Sequence, residues 1–312
     1  MNFIYIKFII IFLFKKKFVL INSPFQYINF FEYSKRYKRT HFDIPILIGF
    51  CEDNTANQIQ SVNKILLLKN QKVFYLKKLF NIKFFHFLLY LKKKITGFDE
   101  CIIGDINYYL FNEFYKYSKK NIILDDGTSS LEVFNEKYLK KDTKFFTLFK
   151  NQKDKISIKN NFFFLRKIKQ KNQKKEKCVY ILGTVLAVYK IISKKLLASF
   201  IRLICERYKN YKIYYVPHRL EKNLNFLRGK NIEIIRPSLP IELVIIFKEF
   251  IPKIIISFYS TSLFSLSLIY DKNIRLYNFN FSLNKILNKE FSSKYKLIQK
   301  QLFKHRIKNF RY

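Results

Sequence analysis

The feature that most constrains this chain is the regular return of short runs of Ile, Leu, Val, Phe and Tyr, each cut off by Asn, Asp, Gly, Pro or Ser. Between these runs lie longer segments whose apolar positions recur at helical spacing. Such a chain alternates strands with helices, and strands that are apolar throughout belong to parallel sheets covered on both faces. Phe18–Asn22 reads as the first strand. Pro24 to Tyr33 follows as a helix, with Ser23 as its N-cap and Pro24 at its first position. Ile46–Phe50, Lys72–Tyr75, Glu100–Ile103 and Asn121–Leu124 read as further strands, the last ending at Asp125-Asp126-Gly127.

Lys167 to Lys177 breaks the pattern, since Ile168 is its only apolar member. Nothing there favours burial, so it reads as a solvated linker between a domain at 1–166 and another at 178–312. Past it the alternation restarts. Cys178–Leu182 reads as a strand ending at Gly183-Thr184, Val185 to Tyr208 as a helix, and Lys212–Val216 as a strand ending at Pro217-His218. Asn231–Ile235 is the next strand, and Pro237–Pro240 opens a helix carrying Glu242. Lys253–Ser257 leads into Phe258-Tyr259-Ser260-Thr261-Ser262, Ile274–Tyr277 is the last strand, and the basic stretch from Asn284 reads as helical. The expected fold is α/β, two Rossmann-like domains facing each other across a cleft, with ligands beyond the carboxyl ends of the strands.

Composition bounds the function. Nearly half of the 312 residues are apolar, which excludes a disordered chain. The net charge of +38 attracts phosphates and anionic lipid, but Lys, Ile, Asn and Phe are all abundant, the mark of A/T-rich codons as much as of function. No basic helix or aromatic RNA-binding motif stands out, so nucleic acid is not an expected partner. Cys51, Cys101, Cys178 and Cys205 show no CxxC spacing, which argues against zinc and fits buried free thiols in a reducing compartment. The apolar run Phe8–Phe14 is too short to span a bilayer, and no cleavage site precedes Lys15–Lys17. The first dozen residues therefore read as an extension that touches membrane, on a cytoplasmic protein peripheral to an anionic inner membrane.

Three strand ends carry residues suited to chemistry. Asp125-Asp126-Gly127-Thr128 places two carboxylates side by side, one of them poised to accept a proton; the same residues also suit a solvated turn capped by Ser129 or Ser130. Pro217-His218-Arg219 sets an imidazole beside a guanidinium, which suits a phosphate, while His41, His86 and His305 read as structural. Ser260-Thr261-Ser262 opens a helix, where hydroxyls and backbone amides bind phosphate or simply cap. Neither GxGxxG nor GxxxxGK[ST] occurs, and no metal-binding cluster presents itself.

The order Asp-Asp-Gly, Pro-His, Ser/Thr resembles bacterial sialyltransferases of the lipooligosaccharide family (glycosyltransferase family 52) and the polysialyltransferase-like group. Leu20–Gln26 with Phe31-Glu32-Tyr33 is similar to that group's N-terminal segment, and Leu124–Thr128 to its acidic motif. Tyr214–Arg219 is similar to its His-Pro region, although proline here precedes the histidine. Pro240-Ile241-Glu242 resembles its Pro-x-Glu, and Phe258–Ser262 its Ser/Thr motif. The resemblance implies a GT-B-like enzyme of lipooligosaccharide or capsule biosynthesis that moves sialic acid from CMP-sialic acid to a glycan or glycolipid acceptor. The transfer would invert the sugar carbon and need neither metal nor cofactor. Asp125, or Asp126 in its place, would be the base, and His218 with Arg219 would meet the departing phosphate. Ser260, Thr261 and Ser262 would hold that phosphate, Glu242 the ribose or base, and Gly183 and Thr184 would line the donor pocket. The alternatives are another CMP sugar such as CMP-Kdo, or a non-enzymatic basic protein that binds anionic polymer or membrane.

Overall fold

A computed structural model describes residues 3–37, 44–66, 72–133, 139–149, 156–271, 273–282, 285–288 and 290–310. His41 and Asn284 lie outside the described residues. The chain divides into two compact units, Met1–Asn160 and Asn161–Tyr312.

The first unit is built on seven parallel strands: β1 (Lys17–Ile21), β2 (Ile46–Ile48), β3 (Val73–Tyr75), β4 (Phe98–Ile103), β5 (Ser118–Leu124), β6 (Thr143–Thr147) and β7 (Ser157–Lys159). Their order across the sheet is β3-β2-β1-β4-β5-β6-β7. The chain thus winds one way from β1 and then the other way from β4, and the switch point lies between these two strands. The helices are α1 (Phe3–Phe14), α2 (Pro24–Arg36), α3 (Asp53–Leu66), α4 (Leu76–Leu79), α5 (Ile82–Ile95), α6 (Tyr109–Tyr117) and α7 (Ser130–Val133). Ser23 caps α2 by accepting the Gln26 N–H, and Pro24 occupies the first turn, where its missing N–H costs nothing.

The N-terminal segment, expected as an extension that touches membrane, folds from Phe3 as α1 and packs into the core. Phe8 and Phe12 are fully buried, Phe8 against Phe74 and Phe80, Phe12 against Phe18, Phe85 and Phe114. Its last carbonyls are capped from α5: the Leu13 oxygen accepts from Lys92 Nζ at 3.1 Å and from Thr96 Oγ1 at 2.7 Å. Burial lowers the Lys92 pKa to about 8. No described helix is long and apolar enough to cross a membrane.

The second unit repeats the same winding. Its strands are β8 (Lys174–Leu182), β9 (Lys212–Val216), β10 (Glu233–Ile234), β11 (Phe250–Ser257), β12 (Arg275–Phe279) and β13 (Lys308–Phe310), in the order β10-β9-β8-β11-β12-β13. All pairs are parallel, and the β8–β11 register shifts between Pro252 and Ile254, where a proline without an N–H is tolerated. The helices are α8 (Phe163–Ile168), α9 (Lys194–Arg207), α10 (Ile241–Ile246), α11 (Thr261–Tyr270) and α12 (Glu290–Lys304).

Two further expectations change. Residues 167–177 are no tether: they form the end of α8, a turn and the first residues of β8, and Gln173 Nε2 donates to the Ile245 and Lys248 carbonyls. The lysines keep their charges in water while the backbone pairs with β11. The helix expected from Val185 begins only at Lys194, capped by Ser193; turns precede it, with Lys190 left-handed at φ 52°. None of the four cysteines is in a disulfide; Cys101 and Cys178 are buried and Cys51 and Cys205 half-buried.

Candidate functional site

In the first unit the carboxyl ends of β1, β4 and β5 gather polar groups at the switch point. The two aspartates that follow β5 diverge. Asp125 is 1% exposed; its Oδ2 accepts the Leu148 N–H at 2.6 Å and its carbonyl accepts from Asn29 Nδ2 at 3.1 Å. Burial drives its pKa up to about 7, against the pull of the Leu148 and Thr147 hydrogen bonds and with a smaller push from Asp126. It is a protonated pin for much of the acidic range. Asp126 is half-buried, and its Oδ1 accepts from Gln26 Nε2 at 2.6 Å and from Ser23 Oγ at 3.4 Å. The Gln26 Oε1 in turn takes the Asn22 N–H at 2.8 Å. Gly104, ending β4, admits this arrangement, since a Cβ there would stand 2.1 Å from Gln26 Oε1. The Ser130 hydroxyl accepts the Asp126 N–H at 2.7 Å, and Gly127 turns the chain at φ 69°. Of the acidic pair, Asp125 is sealed in the core and Asp126 is the one that solvent reaches. Gln26 was not among the expected site residues, although Ser23, Gln26, Asn29 and Glu32 recur every three residues along α2 and all are buried. A polar stripe at that spacing on a helix between apolar strands is the signal that marks it.

In the second unit the switch point falls between β8 and β11, and most of the expected donor residues lie there. Thr184 Oγ1 joins the two strand ends, donating to the Phe258 carbonyl at 3.4 Å and accepting the Leu186 N–H at 3.2 Å. β11 passes into α11 through Tyr259, held in the left-handed region at φ 58°. Such a conformation costs a non-glycine residue about 1 kcal/mol and persists only where neighbours fix it. Here the Tyr259 N–H donates to Asn278 Oδ1 at 2.8 Å, its hydroxyl accepts from Gln299 Nε2 at 2.8 Å, and its ring packs on Tyr295. The sharp turn brings Ser260 to the N-cap of α11, where its Oγ accepts the Ser262 N–H at 3.2 Å. The helix dipole and the hydroxyls of Ser260 and Thr261 then suit an anion, while Ser262 gives its N–H to Ser260 Oγ and hydrogen-bonds the Glu242 carboxyl. Glu242 is buried, and its Oε1 accepts from Ser265 Oγ at 2.6 Å. Burial raises its pKa while its bonds to Ser265 and Ser262 pull the other way, so this carboxyl braces the first turns of α11.

His218 follows β9, next to β8. Its Nδ1 accepts the Leu220 N–H at 3.2 Å, so the neutral ring carries its proton on Nε2. Burial first, then Arg219, lowers its pKa to about 4. The imidazole is thus a neutral donor, with Arg219, exposed beside it, as the cation. Glu221 went unnoticed in the sequence. It is 3% exposed, Oε1 accepting from Tyr215 Oη at 2.8 Å and Oε2 from the His218 N–H at 2.7 Å. Burial raises its pKa, and the His218, Tyr215 and Thr184 hydrogen bonds oppose this. One carboxyl so ties the end of β8 to the turn after β9. Gly183 fits between them because a Cβ would stand 2.0 Å from Glu221 Oε2 and 2.6 Å from the His218 nitrogen. Among the described residues no group of three or more His, Cys, Asp or Glu is placed to hold a metal ion.

No protein-family model matches the chain, and no curated protein matches it. Solved structures do. A UDP-GlcNAc 2-epimerase from Methanocaldococcus jannaschii, in complex with UDP-GlcNAc and UDP, is similar at TM-score 0.57 and 14% identity over 91% of either chain. The Neisseria meningitidis UDP-GlcNAc 2-epimerase bound to UDP-GlcNAc is similar at TM-score 0.52 and 10% identity, over 78% of this chain and 77% of that one. S. aureus MnaA with UDP is similar at TM-score 0.51 and 12% identity, over 93% and 88%. The fold is thus α/β and GT-B-like, two Rossmann-like domains. The kinship with sialyltransferases is corrected: the similar structures are UDP-GlcNAc 2-epimerases, and neither CMP-sialic acid, another CMP sugar nor a glycan acceptor is supported as a partner. The physical reason is plain. Acidic, imidazole and hydroxyl groups at strand ends are what a doubly wound sheet offers any phosphate-bearing ligand, so their order followed the fold and not the donor.

Proposed function

We propose that this protein is an enzyme of UDP-activated sugars, with a UDP-N-acetylhexosamine as substrate and epimerisation at carbon 2 as its reaction. The observation that carries the reading is the switch point at the carboxyl ends of β8 and β11. A ten-residue helix begins there behind a strained Tyr259, Ser260 caps it, and Gly183 at the facing strand end lets Glu221 and the turn after β9 pack close. This is a cradle for a phosphate chain. The likeness to epimerases solved with UDP or UDP-GlcNAc supports uridine diphosphate as the occupant. In this reading the α11 dipole and the Ser260 and Thr261 hydroxyls hold the diphosphate, with Ser262 bonded to Glu242 behind them. His218 donates from Nε2, Arg219 supplies positive charge, and Thr184 and Glu242 hold the cradle in shape. Inverting a carbon that bears hydrogen requires a base to remove the proton and a donor to return one on the opposite face.

The test is to incubate the purified chain with UDP-GlcNAc in heavy water and follow the sugar by proton NMR. Appearance of the 2-epimer, with deuterium at carbon 2, is expected. Unchanged sugar that keeps its carbon-2 proton contradicts the reaction.

A further inference from the structure

The first unit carries an outward surface that neither the cradle nor the acidic turn uses. α1 and α5 pack side by side, with Tyr5 against Phe80, Phe80 against Phe84 and Phe84 against Phe87 in an unbroken run of rings. Their inner faces bury Phe8, Phe12, Phe85 and Leu88. Their outer faces are apolar as well: Ile6, Ile10 and Phe14 on α1, Phe84, Phe87 and Tyr90 on α5, with Phe14 66% and Phe87 54% exposed. Lysines stand among them. Lys7 lies on the outer face of α1 and Lys83 and Lys94 on that of α5, with the Lys94 ammonium 5.9 Å from the Tyr90 ring. Neither helix contains an Asp or Glu.

Codon drift does not explain this face, because it acts on every surface helix alike. α3, in the same unit, turns Asp53, Asn54, Asn57, Gln60 and Lys64 to solvent and buries Ala56, Ile59 and Val62. A helix pair that shows rings and branched apolar chains ringed by cations, with no anion, fits the boundary of an anionic bilayer, where apolar side chains enter the acyl edge and ammonium groups meet phosphate.

We infer that the outer faces of α1 and α5 form a peripheral docking surface for a membrane containing anionic phospholipid. Phe14, Phe87 and Tyr90 enter the interface, and Lys7, Lys83 and Lys94 pair with headgroups. The inference is independent of the sugar substrate. It places the protein on the lipid surface without spanning it.

The chain has no tryptophan, so one introduced at an exposed position reports alone. Phe87→Trp and, as control, Gln60→Trp on α3 are titrated with vesicles of phosphatidylcholine containing phosphatidylglycerol, and with phosphatidylcholine alone. A blue shift of the Phe87→Trp emission with the anionic vesicles, none for Gln60→Trp, and loss of binding at high salt are expected. Lys83→Glu with Lys94→Glu should weaken partitioning about tenfold, and Phe14→Ser with Tyr90→Ser by a similar factor. The inference fails if Phe87→Trp does not respond, or if Gln60→Trp responds equally, which would mark adhesion by overall charge. It fails too if the Phe87→Trp emission shifts with protein concentration in the absence of lipid, which would make the surface a contact between copies.

Discussion

A carboxyl that accepts a backbone N–H inside a dry core and one braced by an amide at a strand end do different work, and Asp125 and Asp126 divide along that line. Asp125 keeps its proton in the folded chain to about pH 7, whereas the unfolded chain releases it near the ordinary value of 3.8. The unfolded state therefore binds fewer protons across that window, and stability falls as pH rises through it. Asp125→Asn retains a neutral acceptor for Leu148, so its melting temperature should match the wild type near about pH 4 and exceed it near about pH 8. Melting curves across this range check the sign. Asp126→Ala should instead leave the buried Gln26 Nε2 without its acceptor and lower stability by about 1–3 kcal/mol, read as a lowered denaturant midpoint. The acidic pair was visible in the sequence, but which member faces inward was not, because adjacent residues at a strand end differ only in the direction the turn gives them. Glu221 was invisible for a related reason: a lone Glu in a basic loop reads as solvated until three donors are found on it.

Elements were legible where burial and capping agreed. β9 was read with its observed bounds, and α2 was legible from Ser23 and Pro24. β6, β7 and β13 were missed because each is short and carries a lysine among few apolar residues, so neither alternation nor an apolar run marks it. α9 was begun too early because Val185–Ile192 is apolar enough to extend the helical spacing, and the cap signal of Ser193 was passed over. α1 was read as an extension because it is apolar on all sides; the aromatic contacts of Phe8 and Phe12 show which side the core takes. Phe12→Ala should therefore destabilise the protein by about 3–5 kcal/mol, read as a lowered denaturant midpoint with an unchanged slope. A small effect there would return α1 to the status of an appendage.

At the scale of the molecule, alternation of apolar runs with helices pointed to parallel sheets, and both sheets wind outward from a switch point. Strand order itself was not legible, since nothing in an apolar run names its neighbour. Once the order is known, it explains why Gly183, Thr184 and Ser260 come together from distant parts of the second half, and why similar motifs serve different nucleotide sugars on the same frame. The central claim is that this switch point binds a uridine diphosphate, and titration calorimetry of the whole chain with UDP tests it most directly, repeated on Gly183→Ala and with CMP in place of UDP. One UDP bound per chain is predicted, weakened at least about tenfold when a methyl group displaces the turn held by Glu221, with CMP binding more weakly than UDP. No UDP binding, CMP bound as tightly, or an unaltered affinity in a folded Gly183→Ala chain would contradict the account.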